Sequence, residues 1–278
     1  MTQNMKGKVC LVTGGSSGIG KATCLELARM GATVILGCRN KDRGEGARAE
    51  IVRASGNETV GLMCFDLSSR RQVRALAEEF LRRYQRLDVL INNAATVPRH
   101  RSLTEDGLET QLAVNHLAPF LLTKLLLEIL RRSAPSRVIV VSSGMHRTAS
   151  LDFDSLQAEK SYRPMRHYAL TKLLNIYFTY ELARRLDGSG VTANCLSPGF
   201  TATDLGRDLS LFYRWAVKLF AHSKEKGART CVYLASSAEL KNITGKYFNK
   251  MKAARTSASS YDQDIARRLW EISGQLTP

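Results

Sequence analysis

The stretch from Lys8 to Arg39, KVCLVTGGSSGIGKATCLELARMGATVILGCR, limits what this chain can fold into more than any other. It opens on an apolar run, Val9 to Val12, too short for a helix and followed by glycines, so it reads as a buried strand. A turn from Thr13 to Gly20 follows, then a helical pattern carrying Ala22, Leu25, Leu27 and Ala28. Gly31 ends that helix, and Thr33 to Leu36 makes a second, β-branched strand. Such a unit puts a helix N-terminus at the end of a strand. Backbone N–H groups and the helix dipole there favour a phosphate, and glycines let the backbone come close to it. The glycines fall at Gly14, Gly18 and Gly20, a G-x-x-x-G-x-G spacing rather than G-x-G-x-x-G. A tight strand-to-helix turn would explain a glycine cluster alone; a strand on either side of the helix favours a dinucleotide site.

The end of the second strand separates the two dinucleotides. An NAD site places an acidic residue near this point to hold the ribose 2′-OH. Here the strand runs out through Gly37, Cys38, Arg39, Asn40 and Lys41, with no carboxylate before Asp42. Arg39 offers a permanently charged planar fork suited to a 2′-phosphate. This makes NADP(H) the preferred cofactor and NAD(H) the alternative.

A length of 278 residues suits one larger α/β domain with a substantial core. The six cysteines show neither C-x-x-C nor metal-ligand spacing, and most sit in apolar runs, as buried thiols of a reducing compartment do. Net charge is +16, from 41 basic and 25 acidic residues. The basic residues are largely Arg pairs spread over helices, such as Arg70 with Arg71 and Arg184 with Arg185, and no basic run is interleaved with aromatics. Nucleic acid is therefore not expected as a partner; weak peripheral contact with an anionic membrane is a secondary reading. Only Met1 to Gly7 precede the first strand, too few for a signal peptide or membrane anchor, and a cytoplasmic location is the expectation. Leu117 to Leu130 is apolar but short, and holds Lys124 and Glu128. It reads as a helix covered by its own sheet and by a second subunit in a homodimer.

Helices and strands alternate along the chain. Helix is expected over Lys41 to Ala54, from a Ser68 cap to Gln85, from Thr104 on with Pro119 opening a new helix, over Arg166 to Leu186, and over Asp204 to Ser236 with a break near Ser223. Strands are expected at Thr59 to Phe65, Asp88 to Ile91, Arg137 to Val141 and Val191 to Leu196, with Lys246 to Phe248 a last edge strand. This alternation implies one α/β domain built on a Rossmann-like, doubly wound, mostly parallel sheet. Residues 8–140 would form mainly the dinucleotide-binding part, and 141–278 the catalytic and substrate part. Strand ends carrying Gly, Asn and Ser place a ligand beyond the carboxyl edge of the sheet.

Tyr168 and Lys172 lie four apart in a predicted helix, hence on one face and about a turn from each other. A fixed cation beside a phenol favours tyrosinate, so Lys172 would draw the Tyr168 pKa down from its ordinary ~10. Tyr168 could then serve as general acid to a developing alkoxide, or as base to an alcohol. Tyr and Lys are common helix-surface residues, and it is their company, a nucleotide fold and a strand-end serine pair, that gives the spacing weight.

Taken together, these elements resemble the short-chain dehydrogenase/reductase family over nearly the whole chain. Its Thr-Gly-x-x-x-Gly-x-Gly stands at Thr13 to Gly20, its Asn-Asn-Ala at Asn92 to Ala94, its Tyr-x-x-x-Lys at Tyr168 and Lys172, and its post-strand Pro-Gly at Pro198 and Gly199. Ala95 departs from the family's usual glycine. The resemblance implies a tetrad of Asn115, Ser143, Tyr168 and Lys172, with Ser142 the fallback serine. Asn115 would support the lysine through a water chain, and Ser143 would polarise the substrate carbonyl. Cofactor contacts are implied for Thr13, Gly14, Ser16, Ser17, Gly18, Ile19 and Gly20, for Arg39 and Asn40, and for Asp66 and Leu67 at the adenine. Asn92, Ala94, Pro198 and Gly199 are implied as well, with Thr201 at the carboxamide and Tyr168 and Lys172 at the nicotinamide ribose. No metal is implied.

His146, Arg147, Leu151 to Phe153, Tyr180 to Leu186 and Gly37 to Arg39 resemble the retinol dehydrogenase-like subgroup. That likeness implies NADP(H) and a lipophilic alcohol or carbonyl, of retinoid, steroid or aldehyde type. His146 reads as a loop-ordering residue, since tyrosine already supplies the proton. Leu209 to Phe220, rich in large apolar groups, suits a cover over such a ligand. The rival reading is an NADP(H)-binding sensor or scaffold without catalysis, which would have no need of the proton relay.

Overall fold

The computed structural model describes residues 4–199 and 224–278. The apolar runs form strands: β1 (Val9–Thr13), β2 (Thr33–Cys38), β3 (Val60–Cys64), β4 (Val89–Asn92), β5 (Ser136–Val141), β6 (Val191–Ser197), β7 (Tyr247–Asn249) and β8 (Lys252–Ala254). They make one sheet in the order β3-β2-β1-β4-β5-β6-β7-β8. Every pair is parallel except β7 with β8. The chain winds outward from β1 to β3, then returns to add β4 on the other side of β1. That reversal opens a crevice beyond the carboxyl ends of β1 and β4.

Alternate strand residues feed two cores, as a period of two requires of a sheet covered on both faces. Leu11, Ile35, Leu90, Val138 and Val140 face a layer containing α3 (Arg70–Arg83), α5 (Ala118–Leu125), α6 (Leu127–Arg132) and α7 (Pro164–Arg185). Val12, Leu36, Ile91, Ile139 and Leu196 face one formed by α1 (Gly18–Arg29), α2 (Lys41–Ser55) and α8 (Lys224–Ser236). Among the described residues the other α-helices are α4 (Thr110–Leu112), followed by a π-helical turn (Ala113–Leu117), and α9 (Gln263–Leu276).

Three expectations change. Ser69, not Ser68, caps α3: its side chain accepts from Gln72 N, whereas the Ser68 hydroxyl donates to Asp66 Oδ1. Helix begins at Thr110 rather than Thr104, because Gly107 takes φ +71° and Leu103 pairs with Glu109 to close a turn. The sheet does not stop at β7; Lys250 and Met251, at φ +50° and +62°, reverse the chain into β8. In addition, α9 of the same chain covers part of the 117–130 stretch. Trp270 packs against Phe120 and Phe178 at ring-centroid distances of 4.9 and 5.9 Å, and His116 Nε2 meets Ser273 Oγ at 2.9 Å. Within residues 117–130 only Lys124 and Glu128 are exposed. Among the described residues no helix is long and apolar enough to cross a membrane. Thr201 and the 209–220 stretch lie outside the described residues.

Candidate active site

At the carboxyl end of β1, Gly14 adopts φ +68° and passes close under Ala94. Gly20 is tighter. A Cβ there would stand 2.2 Å from Gly14 O and 2.6 Å from Asn93 Nδ2, so only glycine lets the first turn of α1 sit against the strand end. Ser17 caps this helix by position, with no side-chain hydrogen bond, and Lys21 N is bonded back to Ser17 O at 3.1 Å. The N–H groups of Gly18, Ile19 and Gly20 thus lie ahead of the intrahelical ladder and constitute an anion-binding end. Ser16 lies beside the Cys38 thiol, which donates to Asn40 O at 3.2 Å.

Thr13 locks this turn to the next strand. Its Oγ1 accepts from Asn93 N at 3.0 Å and Ala94 N at 3.1 Å, while Asn93 Nδ2 donates to Thr13 O at 2.8 Å. Asn93 is therefore a clamp that the motif reading passed over. Asn92, by contrast, turns its side chain into the core, where Nδ2 donates to Thr123 Oγ1 at 3.0 Å.

Beyond β2, Arg39 is 79% exposed, with Nη1 3.8 Å from Asp66 Oδ2, and so keeps a guanidinium available to a further anion. Asn40 caps α2 by accepting from Arg43 N at 2.8 Å. Asp66 Oδ1 accepts from Ser68 N at 2.8 Å, and Leu67 packs half-buried on the core. Arg39 and Asp66 thus stand together at one end of the crevice, with the Asn40 cap and Leu67 next to them in the chain.

At the other end, α7 presents Tyr168 and Lys172, both buried. Lys172 Nζ lies 5.4 Å from the Tyr168 ring centroid and donates to Val141 O at 3.0 Å. Burial pushes the Lys172 pKa down to about 7. An ammonium has three donors, so a buried one with a single backbone acceptor suits the hydroxyls of a ribose. The residues present fit a nicotinamide dinucleotide: an anion-binding helix end, a cation beyond β2 and a donor-rich lysine at the far end.

The two serines after β5 have different partners. Ser142 is buried and donates to Lys172 O at 2.8 Å, whereas Ser143 is half-buried and accepts from Met145 N at 3.2 Å. With its oxygen engaged as acceptor, Ser143 retains its O–H for a substrate. Ser197 Oγ accepts from Gly144 N at 3.2 Å and from Gly199 N at 3.3 Å, joining this loop to Pro198 and Gly199. His146 is buried, donates from Nδ1 to Ser143 O at 2.7 Å, and sits edge-on to Tyr247 at 5.2 Å.

Asn115 lies in the π-helical turn, a distortion that occurs preferentially at functional sites. Its Oδ1 accepts from Thr96 N at 2.7 Å, and Nδ2 donates to Thr96 O and Thr171 Oγ1 at 3.0 and 3.2 Å. Its carbonyl accepts from Asn175 Nδ2 at 2.9 Å. Asn115 thus ties the loop after β4 to α7 on either side of Lys172; Thr96, Thr171 and Asn175 have no motif of their own that would mark them in the sequence.

The family model for short chain dehydrogenase matches residues 8–213. Human retinol dehydrogenase 14 is 43% identical over 97% of this chain and 86% of its own length. A solved structure of an uncharacterised Mycobacterium paratuberculosis protein is 33% identical, with TM-score 0.81 over 99% of this chain and 95% of that one. The Pseudomonas aeruginosa RhlG/NADP active-site complex is 26% identical, with TM-score 0.72 over 88% and 95% of the two chains.

Proposed function

The chain belongs to the short-chain dehydrogenase/reductase family, an NAD(P)-dependent class of alcohol and carbonyl oxidoreductases, and on that premise we propose that it uses NADP(H) to interconvert an alcohol and a carbonyl on a lipophilic small molecule. The observation that carries this reading is the buried Tyr168–Lys172 pair, with its 5.4 Å ring-to-ammonium distance, at the carboxyl edge of the sheet. Arg39 supports NADP(H), since its guanidinium is 79% exposed and its carboxylate neighbour, Asp66, lies 3.8 Å away. A relative named retinol dehydrogenase supports a lipophilic substrate.

A nicotinamide dinucleotide held by the α1 N-terminus, Arg39 and Lys172 would supply or accept the hydride. Ser143 donates a hydrogen bond from its hydroxyl to the carbonyl oxygen, keeping its proton, and so stabilises the negative charge that develops there. Tyr168 passes its phenolic proton to that oxygen in reduction and takes it back in oxidation. Lys172 offsets the charge left on the phenolate and binds the ribose. Asn115 holds the Thr96 loop and α7 in one arrangement through its four hydrogen bonds.

The test is a turnover panel of retinal, a steroid ketone, a fatty aldehyde and a xenobiotic ketone, each with NADPH and NADH. Turnover of at least one, with NADPH the better cofactor, is expected. NADPH binding without turnover of any would point to the sensor, and a preference for NADH would overturn the role of Arg39.

A further inference from the structure

The geometry points to Glu109 and His167 as a positioning pair that sets Tyr168 against Asn115, an inference that rests on Tyr168 being the proton donor. Glu109 is fully buried, an unusual place for a carboxylate unless its lone pairs are satisfied. Three N–H groups satisfy it: Gln111 N at 2.9 Å on Oε1, and Leu112 N and His167 Nε2, both at 2.7 Å, on Oε2. A carboxylate oxygen only accepts, so Nε2 carries the hydrogen.

Capping α4 accounts for the first two bonds, and a short exposed Asp or Ser would provide as much. It does not account for a longer, buried Glu that reaches across to another helix. The third bond lands on the residue immediately before Tyr168, while the capped turn leads within three residues to Asn115. One carboxylate thus connects the two segments that carry the proton donor and its supporting asparagine.

A second strap runs alongside. Gln111 Nε2 donates to Tyr162 OH at 2.6 Å and to Pro164 O at 3.1 Å, and Tyr162 OH donates to Pro98 O at 2.8 Å. The N-cap of α7, Arg163, provides no side-chain cap. The first turn of this helix, ahead of Tyr168, is held from the side rather than from the end. A displacement of about 1 Å at such a residue is enough to lower turnover on the order of 10²-fold.

Two substitutions in the full chain separate positioning from packing. His167→Phe keeps the ring that lies 5.7 Å from Tyr162 but removes the donor. His167→Gln removes the ring but keeps a donor at a similar reach. If the pair positions Tyr168, His167→Phe loses kcat on the order of 10²-fold with NADPH affinity unchanged, and His167→Gln stays near wild type. If His167 only fills space the order reverses, which overturns the proposal, as does wild-type kcat in both. A wild type that turns over no carbonyl would defeat the functional reading alone. The pair is then read from the tyrosinate absorbance of Tyr168 in the NADPH complex, taken as the difference from Tyr168→Phe. Its midpoint should move in His167→Phe and not in His167→Gln, and an unmoved midpoint in both contradicts the proposal.

Discussion

Lys172 Nζ stands 5.4 Å from the centroid of the Tyr168 ring, one turn along the same helix, with its hydrogen bond directed to Val141 O. Placing an ammonium there has a cost. Burial lowers its pKa from 10.5 to about 7. Between those values the unfolded chain holds a proton that the folded chain does not, so the stability of the cofactor-free protein rises with pH across that interval. Lys172→Met removes the penalty. At pH 7 the variant should be more stable than wild type by a few kcal/mol, at ~1.4 kcal/mol per pKa unit, with the gap closing toward pH 10. Thermal melts over this pH range measure it; a variant that melts lower than wild type at pH 7 contradicts the burial cost.

In the proposed function Arg39 would favour NADP(H) by pairing its guanidinium with the 2′-phosphate. Arg39→Leu is expected to lower kcat/KM for NADPH by roughly 10- to 100-fold, the equivalent of one charge-assisted hydrogen bond, and to leave NADH almost unaffected. Steady-state kinetics with both cofactors give the ratio. Equal losses with both would mean that Arg39 supports the fold rather than the 2′-phosphate.

Gly20 and Gly46 make a matched pair. At Gly20 a new methyl collides with Gly14 O, a backbone atom that cannot swing aside, whereas a Cβ at Gly46 meets nothing within 4 Å. Gly20→Ala should destabilise by about 1–3 kcal/mol and abolish NADPH binding. Gly46→Ala, on an exposed turn of α2, should stabilise by about 0.5–1 kcal/mol. Denaturant titration and isothermal calorimetry distinguish the two.

The central part of this fold was legible because its signals are local. β1, the glycine turn and α1 follow one another between Val9 and Arg29, and apolar runs such as Val34 to Leu36 have one use in a covered sheet. Tyr168 and Lys172 were legible for the same reason, being one turn apart. What escaped depends on distant partners. Asn93 reads like Asn92 in the sequence, yet one clamps Thr13 and the other enters the core beside Thr123. The β7–β8 turn uses Lys250 and Met251 at positive φ, where a hairpin signal would need Asn or Gly. The apolar 117–130 stretch showed that something must cover it, but only the contacts of Trp270 reveal that α9 of the same chain does so.

The proposed proton donor is the most direct point of attack. Tyr168→Phe deletes one oxygen from a side chain that remains buried, leaving Arg39, the α1 N-terminus and Lys172 in place. Measured by single-turnover reduction of whichever carbonyl the panel identifies, with NADPH affinity determined in parallel, the variant should bind NADPH as wild type does and lose about 10²–10⁴-fold in rate. Wild-type rates from Tyr168→Phe would show that the proton comes from elsewhere.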